Sequence, residues 1–278
     1  MANITASAVK LLRDRVGLPM MDCKKALQEC DGDEESAVQW LRERGAKTLE
    51  KRADRETSFG RLGIYVAMDP GSGAMVELKC ESAPVTKSEE FIQLADDLAQ
   101  VFALTPSITT AEQLLAAPSP SQSGKTLGDV KDEMFNRIRE VFNVRRMTRI
   151  DGPCGGYSHN LGTVSGVLVE VTGGNAEAAK DVAMHVAAMR PQALQTSELD
   201  QEIVSREREI LSEQARQEGK PDNIVEKMVE GRMRSFYAEN VLLEQAFVKE
   251  PKLTVEKFAA QHGMQVKQFV HWELGTEG

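Results

Sequence analysis

The sequence holds 278 residues, enough for two domains of ordinary size or for one domain with appendages. Hydrophobic residues make up 41% and charged residues 28%, which excludes a collagenous or wholly disordered chain. Lys and Arg number 34 against 43 Asp and Glu, a net charge of −9 that argues against a general nucleic-acid binder, because phosphate contacts need a basic face.

Residues 1–46 read as three short helices. Thr5 or Ser7 can cap the first, along which Val9, Leu12 and Val16 recur at helical spacing, and Gly17-Leu18-Pro19 ends it. A second is expected to start near Asp22, whose carboxylate can accept from free backbone N–H groups, and to run through CKKALQEC. Asp33 can cap a third, which carries Ala37, Val38 and Leu41 and is expected to close with Gly45 as its left-handed C′ residue. Such a bundle has a tiny core and needs tight packing or a partner. Residues 47–56 are strongly charged and read as a solvated helix or linker.

Beyond them the period changes. RLGIYVAM and GAMVELKC are strand-like, separated by the turn DPGSG. SEEFIQLADDLAQVFAL sets Phe91, Leu94, Ala95, Leu98 and Phe102 on one helical stripe. APSPSQSGKT (117–126) is expected to be an exposed loop, and LGDVKDEMFNRIREVF (127–142) a helix throughout. Strand signals follow in NVRRMTRI and, after a Gly-rich turn, in GTVSGVLVEV. The helix AEAAKDVAMHVAAM is ended by Arg190-Pro191.

An internal repeat emerges here. GAMVELKC (73–80) matches GVLVEVTG (166–173), with Gly73/Gly166, Val76/Val169 and Glu77/Glu170 identical. LADDLA (94–99) then matches VAMHVA (182–187), with Ala95/Ala183 and Ala99/Ala187 identical. Two strand-then-helix copies predict a core of two similar α+β halves. Residues 197–239 form a charged helical hairpin broken at Gly219-Lys220-Pro221. Leu199, Ile203 and Ile210 mark one arm and Val225, Val229, Met233 and Phe236 the other. AFVKEP and VKQFVHWEL, around a short helix at 255–262, return to strand signals that can complete the second sheet.

The chain offers little catalytic chemistry. It has no GxxxxGK[ST], GxGxxG, HExxH or GxSxG. Cys23, Cys30, Cys80 and Cys154 are scattered without a CxxC and read as reduced thiols; Cys154 and His159 alone do not make a metal site. His185 reads as a packed or partner-facing imidazole rather than a general base. These residues describe a binding or regulatory protein, not an enzyme, with no cofactor expected. No apolar run reaches the ~18–20 residues that span a bilayer, and the first residues lack a signal-peptide apolar stretch. No membrane partner and cytoplasmic residence are therefore expected by default.

Two segments look placed for binding. Met20 and Met21 beside Lys24 and Lys25 can form an adaptable apolar patch with a cationic rim, or can belong to the small core. Glu81-Ser82-Ala83-Pro84-Val85-Thr86-Lys87 joins a strand end to a helix start, where loops commonly carry function; the alternative is an ordinary turn stiffened by Pro84.

The chain resembles the translation elongation factor Ts family, the guanine-nucleotide exchange factors for elongation factor Tu. The likeness lies in VGLPMMDCKKAL (16–27), GAMVELKC, Glu140-x-x-Asn143-Val144-Arg145-Arg146, Gly156-Tyr157-Ser158-His159, VAMHVAA (182–188), KPxxIxEKMVEGRM (220–233) and AFVKEP (246–251). The resemblance implies an α+β fold. Its parts are an N-terminal three-helix, ubiquitin-associated-like domain with linker (1–56), a core N-terminal half (57–147), a core C-terminal half (148–196 and 240–278) and an inserted antiparallel helical hairpin of dimerisation type (197–239).

It also implies that elongation factor Tu is the partner, with Arg13, Met20 and Met21 as interface candidates and no direct nucleic-acid contact. A homodimer through the hairpin is a further expectation. The family's loop after the second strand usually reads Thr-Asp-Phe-Val and disturbs the partner's Mg²⁺ site. Here it reads Ser82-Ala83-Pro84-Val85, without the acid or the aromatic ring. The alternative reading is a divergent helical adaptor or chaperone-like binding protein without strong exchange activity.

Overall fold

A computed structural model of the chain describes residues 4–52, 54–160, 162–219 and 221–276. Lys220 of the expected hairpin break and Ala53 of the charged 47–56 stretch lie outside the described residues. The fold is α+β. It divides into two compact units, one holding the residues up to Gly63 together with Val76–Met147, the other holding Ile64–Met75 together with the residues from Thr148 on.

The first unit opens with α1 (Ala6–Val16), α2 (Met20–Glu29) and α3 (Glu34–Glu50). Thr5 caps α1 by accepting from the Ala8 N–H, and Gly17 at φ 67° closes it. Leu12, Cys23, Ala26, Leu27, Ala37 and Leu41 fill the space between the three helices. Two expectations are corrected here. The second helix starts at Met20, capped by Pro19, and the Asp22 carboxylate meets arginines instead of backbone N–H groups. The third helix does not stop at Gly45. It continues to Glu50, and the glycine serves close packing: a Cβ there would lie 2.1 Å from Asn136 Oδ1.

Next come β1 (Phe59–Met68), β2 (Gly71–Cys80), α4 (Glu89–Leu104), α5 (Ala111–Ala116), α6 (Leu127–Ile138) and β3 (Asn143–Ile150). The strands order as β1-β2-β3. The expected α4 stripe is buried as a set: Phe91, Leu94, Ala95, Leu98 and Phe102. Asp97 is buried among them, and its carboxylate accepts from Gln93, Ser119 and Ser121. The 117–126 loop is therefore pinned: Ser119 is buried where an exposed loop was expected. The helix expected to run to residue 142 ends at Ile138, because Arg139 adopts φ 67° and turns the chain aside.

The second unit contains β4 (Cys154–His159), β5 (Ser165–Gly173), α7 (Ala176–Met189), α8 (Gln201–Gln217), α9 (Asp222–Asn240), β6 (Ala246–Phe247), β7 (Glu250–Thr254), α10 (Val255–Gln261) and β8 (Met264–Glu273). β4, β5 and β8 form an antiparallel sheet in that order, with Gly155 opposite Val169 and Val169 opposite Phe269. The expected Gly-rich turn before β5 is in fact strand β4. Its glycines hide the period-2 signal but let a helix lie close. β8 completes this sheet as expected, whereas β6 and β7 form a separate two-stranded ribbon.

α7 packs on the sheet through Ala179, Val182, Ala183 and Val186. His185 is fully buried. Its Nδ1 accepts from the Val248 N–H at 3.1 Å, so the proton sits on Nε2 and is donated to Gln245 Oε1 at 2.9 Å. The packed alternative for this residue is the observed one, and burial pushes its pKa down.

The repeat has a clear structural basis. β2 and β5 are the middle strands of their sheets, each followed by a helix, and the matched Val76, Val169, Ala95 and Ala183 are all buried. Glu77 pairs with Arg146 of β3, and Glu170 accepts from Gln268 of β8. The hairpin seam differs from expectation. Leu211, Ala215, Val225, Val229 and Met233 are packed together, while Ile203 and Ile210 face outward.

Candidate partner-binding site

The start of α2 sets two methionines in solvent. Pro19 pre-forms the turn, its carbonyl accepting from the N–H groups of Asp22 and Cys23, and Met20 and Met21 follow at once. They are 48% and 73% exposed, outside the three-helix core that takes Cys23. Lys24 and Lys25 beside them are exposed as well. Arg13, the third candidate of this region, lies on α1 and pairs with its neighbour Asp14 at 2.7 Å.

The loop after β2 divides its four candidate residues between two roles. Ala83 and Pro84 are exposed; Val85 is buried at 8% exposure and begins a single 3-10 turn over Val85–Lys87. Thr86 donates its hydroxyl to the Ala83 carbonyl at 2.8 Å, and Ser88 donates to the Val85 carbonyl at 2.9 Å before capping α4. The tip thus presents a small methyl and a rigid ring on a backbone closed by its own hydrogen bonds.

Two carboxylates fix the root of the loop in a reciprocal clasp. Glu140 accepts from the Ser82 N–H at 3.0 Å and from its hydroxyl at 2.6 Å. Glu81 accepts from the Val141 N–H at 2.8 Å and from Arg55 at 3.1 Å. Charge-assisted bonds of this kind are roughly twice as strong as neutral ones. Arg139 donates to Asp22 at 2.7 Å, and its own carbonyl accepts from Arg52 at 2.9 Å. Consecutive residues 139 and 140 therefore hold the start of α2 and the root of the loop. Helical periodicity hides this pair, since it assigns both residues to α6; the signal was the Glu140–Arg146 segment, whose Glu has a structural partner in Ser82.

Two buried thiols among the described residues are held protonated. The Cys80 thiol is pushed up to about 12 by burial and donates to the Ser82 carbonyl at 3.3 Å. Cys154 is raised to about 12 by the same cause. Among the described residues, no group of three or more His, Cys, Asp and Glu is arranged to hold a metal, and no helix is long and apolar enough to cross a membrane.

The second unit has a cavity of about 570 Å³ lined by Tyr157, His159, Met184, Arg190, Val248 and Lys249, among others. His159, isolated in the sequence, faces the Tyr157 hydroxyl there, with Nδ1 at 3.1 Å. Arg190 pairs with Glu273, and Lys249 with Asp181.

The sequence model of the family described as Elongation factor TS matches residues 81–276. The Elongation factor Ts of Methylococcus capsulatus is 45% identical over 276 residues, covering 98% of this chain and 92% of that protein. That of Saccharopolyspora erythraea is 42% identical over 279 residues, covering 99% of each. That of Hyphomonas neptunium is 41% identical over 284 residues, covering 99% of this chain and 93% of its own.

Proposed function

The chain belongs to the elongation factor Ts family of translation elongation factors, and on that premise we propose that it binds elongation factor Tu·GDP and promotes release of the nucleotide. The observation that carries this reading is the exposed Ala83-Pro84 tip on a root clasped by Glu81 and Glu140, in the same compact unit as the exposed Met20 and Met21.

GDP is held on its GTPase through its phosphates and a bound Mg²⁺. A partner that distorts those surroundings lowers the affinity without breaking a covalent bond, so this chain needs no catalytic acid or base. Release requires tighter binding to the empty GTPase than to the loaded one, because a ligand shifts an equilibrium only by its differential affinity. Linkage makes the effect reciprocal: GDP weakens this protein by the factor by which this protein weakens GDP.

The chain's own residues divide the work. Met20 and Met21 supply adaptable apolar docking area, with Arg13, Lys24 and Lys25 as the charged rim. Ala83 and Pro84 form the wedge. Lacking a carboxylate and an aromatic ring, they act by volume and stiffness alone. Burial of Val85 supports an anchoring role for it under the wedge. We assign residues 1–56 to docking, and the 197–239 hairpin to self-association, which the outward-facing Ile203 and Ile210 support. This reading has the protein working in the cytoplasm, without nucleic-acid or membrane contact.

Stopped-flow release of fluorescent GDP from elongation factor Tu tests the reading. Addition of the protein is expected to accelerate release, and an unchanged rate contradicts exchange activity and leaves the adaptor alternative.

A further inference from the structure

We infer that Glu140 and Arg139 are positioning residues for nucleotide release: together they fix the Ala83-Pro84 tip at a set distance from Met20 and Met21. A GTPase seated on the methionines then meets the tip in one geometry. The inference rests on the exchange reading and deepens it by naming the residues that link docking to the wedge.

The argument starts from the backbone. Arg139 takes φ 67°, a conformation that costs a non-glycine residue energy and persists where its surroundings hold it. Three groups do so here. Its guanidinium donates to Asp22, its carbonyl accepts from Arg52, and Glu140 beyond it is committed to Ser82. The turn directs two adjacent side chains to two different places, the first turn of α2 and the loop just after β2. Had α6 continued as a helix, side chains 139 and 140 would diverge by about 100° on its surface and the Val141 N–H would be spent within it. Instead that N–H reaches Glu81, the residue before Ser82.

The tip itself has no side chain that can locate it. Ala83 and Pro84 carry no polar group, and their local bonds close the turn without orienting it. Orientation comes from Val85 below and from the clasp at Glu81 and Ser82. The carboxylates at both ends of this link are half-buried: the Glu81 side chain at the loop root is 20% exposed and the Asp22 side chain on α2 23%. Bonds to ionised groups there are less screened than on the open surface.

The test uses the full-length chain and elongation factor Tu loaded with fluorescent GDP, with the release rate followed to saturation. Glu140→Gln keeps the size of the side chain and removes its charge; Ser82→Ala removes only a hydroxyl. Each is expected to lower the maximal release rate by about tenfold, while the half-saturating concentration moves by less than about twofold, as loss of a charge-assisted bond that acts after docking requires. The two changes together are expected to cost no more than Glu140→Gln alone, because they break one interaction. Glu140→Asp is expected to restore part of the rate. The inference is overturned if both single variants keep the wild-type maximal rate, or if they raise only the half-saturating concentration. A wild-type protein that fails to speed release overturns the exchange reading itself, which separates that failure from this one. Should Glu140→Gln unfold, Ser82→Ala alone decides.

Discussion

Gly155 of β4 lies so close to Ala179 of α7 that a Cβ on the glycine would fall 2.5 Å from the Ala179 carbonyl carbon. The obstacle is backbone in the first turn of α7, hydrogen-bonded within the helix, which cannot swing aside as a side chain can. Gly155→Ala is expected to destabilise the protein by about 1–3 kcal/mol, the range for overpacking a close-packed core. Urea unfolding measures it, and a variant as stable as wild type would show that α7 can shift outward.

Met20 and Met21 contribute little to the three-helix core, so removing their apolar area tests docking without unfolding the head. Met20→Asp with Met21→Asp is expected to weaken binding to elongation factor Tu by more than about tenfold, as loss of a central apolar patch does. The melting temperature is expected to hold within about 3 °C, since exposed positions carry little stability. Calorimetric binding and a thermal melt of the same sample decide it. Unchanged affinity removes the patch from the interface. Deleting residues 1–50 is a poorer test, because it also uncovers the α6 surface around Asn136 that packs at Gly45.

Pro84 and Val85 are expected to behave differently although they are neighbours. Pro84→Ala alters an exposed ring and is expected to slow GDP release with no loss of stability. Val85→Ala opens space under the loop and is expected to cost about 1–2 kcal/mol in denaturant unfolding, the loss of two buried methyl groups. Equal release rates for Pro84→Ala and wild type contradict the wedge.

His185 makes part of the stability of the second unit pH-dependent. Its pKa in the folded state lies below the ordinary 6.5, because burial disfavours the charged ring by more than the bond to Gln245 favours it. A depressed folded value means that its contribution is fully present above 6.5, where both states are neutral. It is lost as the pH falls below 6.5 toward the folded pKa, because the unfolded chain binds the proton first. His271 is shifted in the same direction by burial and adds to the slope. His185→Gln is expected to be less stable at pH 8 but to lose less on acidification to about pH 5. Parallel profiles for the two proteins contradict the assignment.

Much of this architecture is legible in residue order, and the misses share a cause. The α4 stripe announces itself because one face is apolar throughout, and β2 and β5 because their largely apolar runs are bounded by turn residues. β4 escapes notice because Gly155 and Gly156 leave the alternation without side chains to display it. Gly45 suggests a helix end, yet it marks close contact with α6, which local rules do not register. On α8, Ile203 and Ile210 lie one position away from Val204 and Leu211. Both sets repeat every seven residues, and only α9 selects which faces inward. The wedge loop is found by its place after a strand, whereas its clasp depends on Arg139 leaving the helix, a choice made by partners more than 50 residues away in sequence.

The central claim is a preference for the empty GTPase, and binding to the two forms measures it directly. Calorimetry compares this protein binding to elongation factor Tu saturated with GDP and Mg²⁺ and to the same GTPase stripped of nucleotide in EDTA. The account predicts at least about tenfold tighter binding to the stripped form, the usual scale of a coupling between sites; equal affinity for both forms would contradict it.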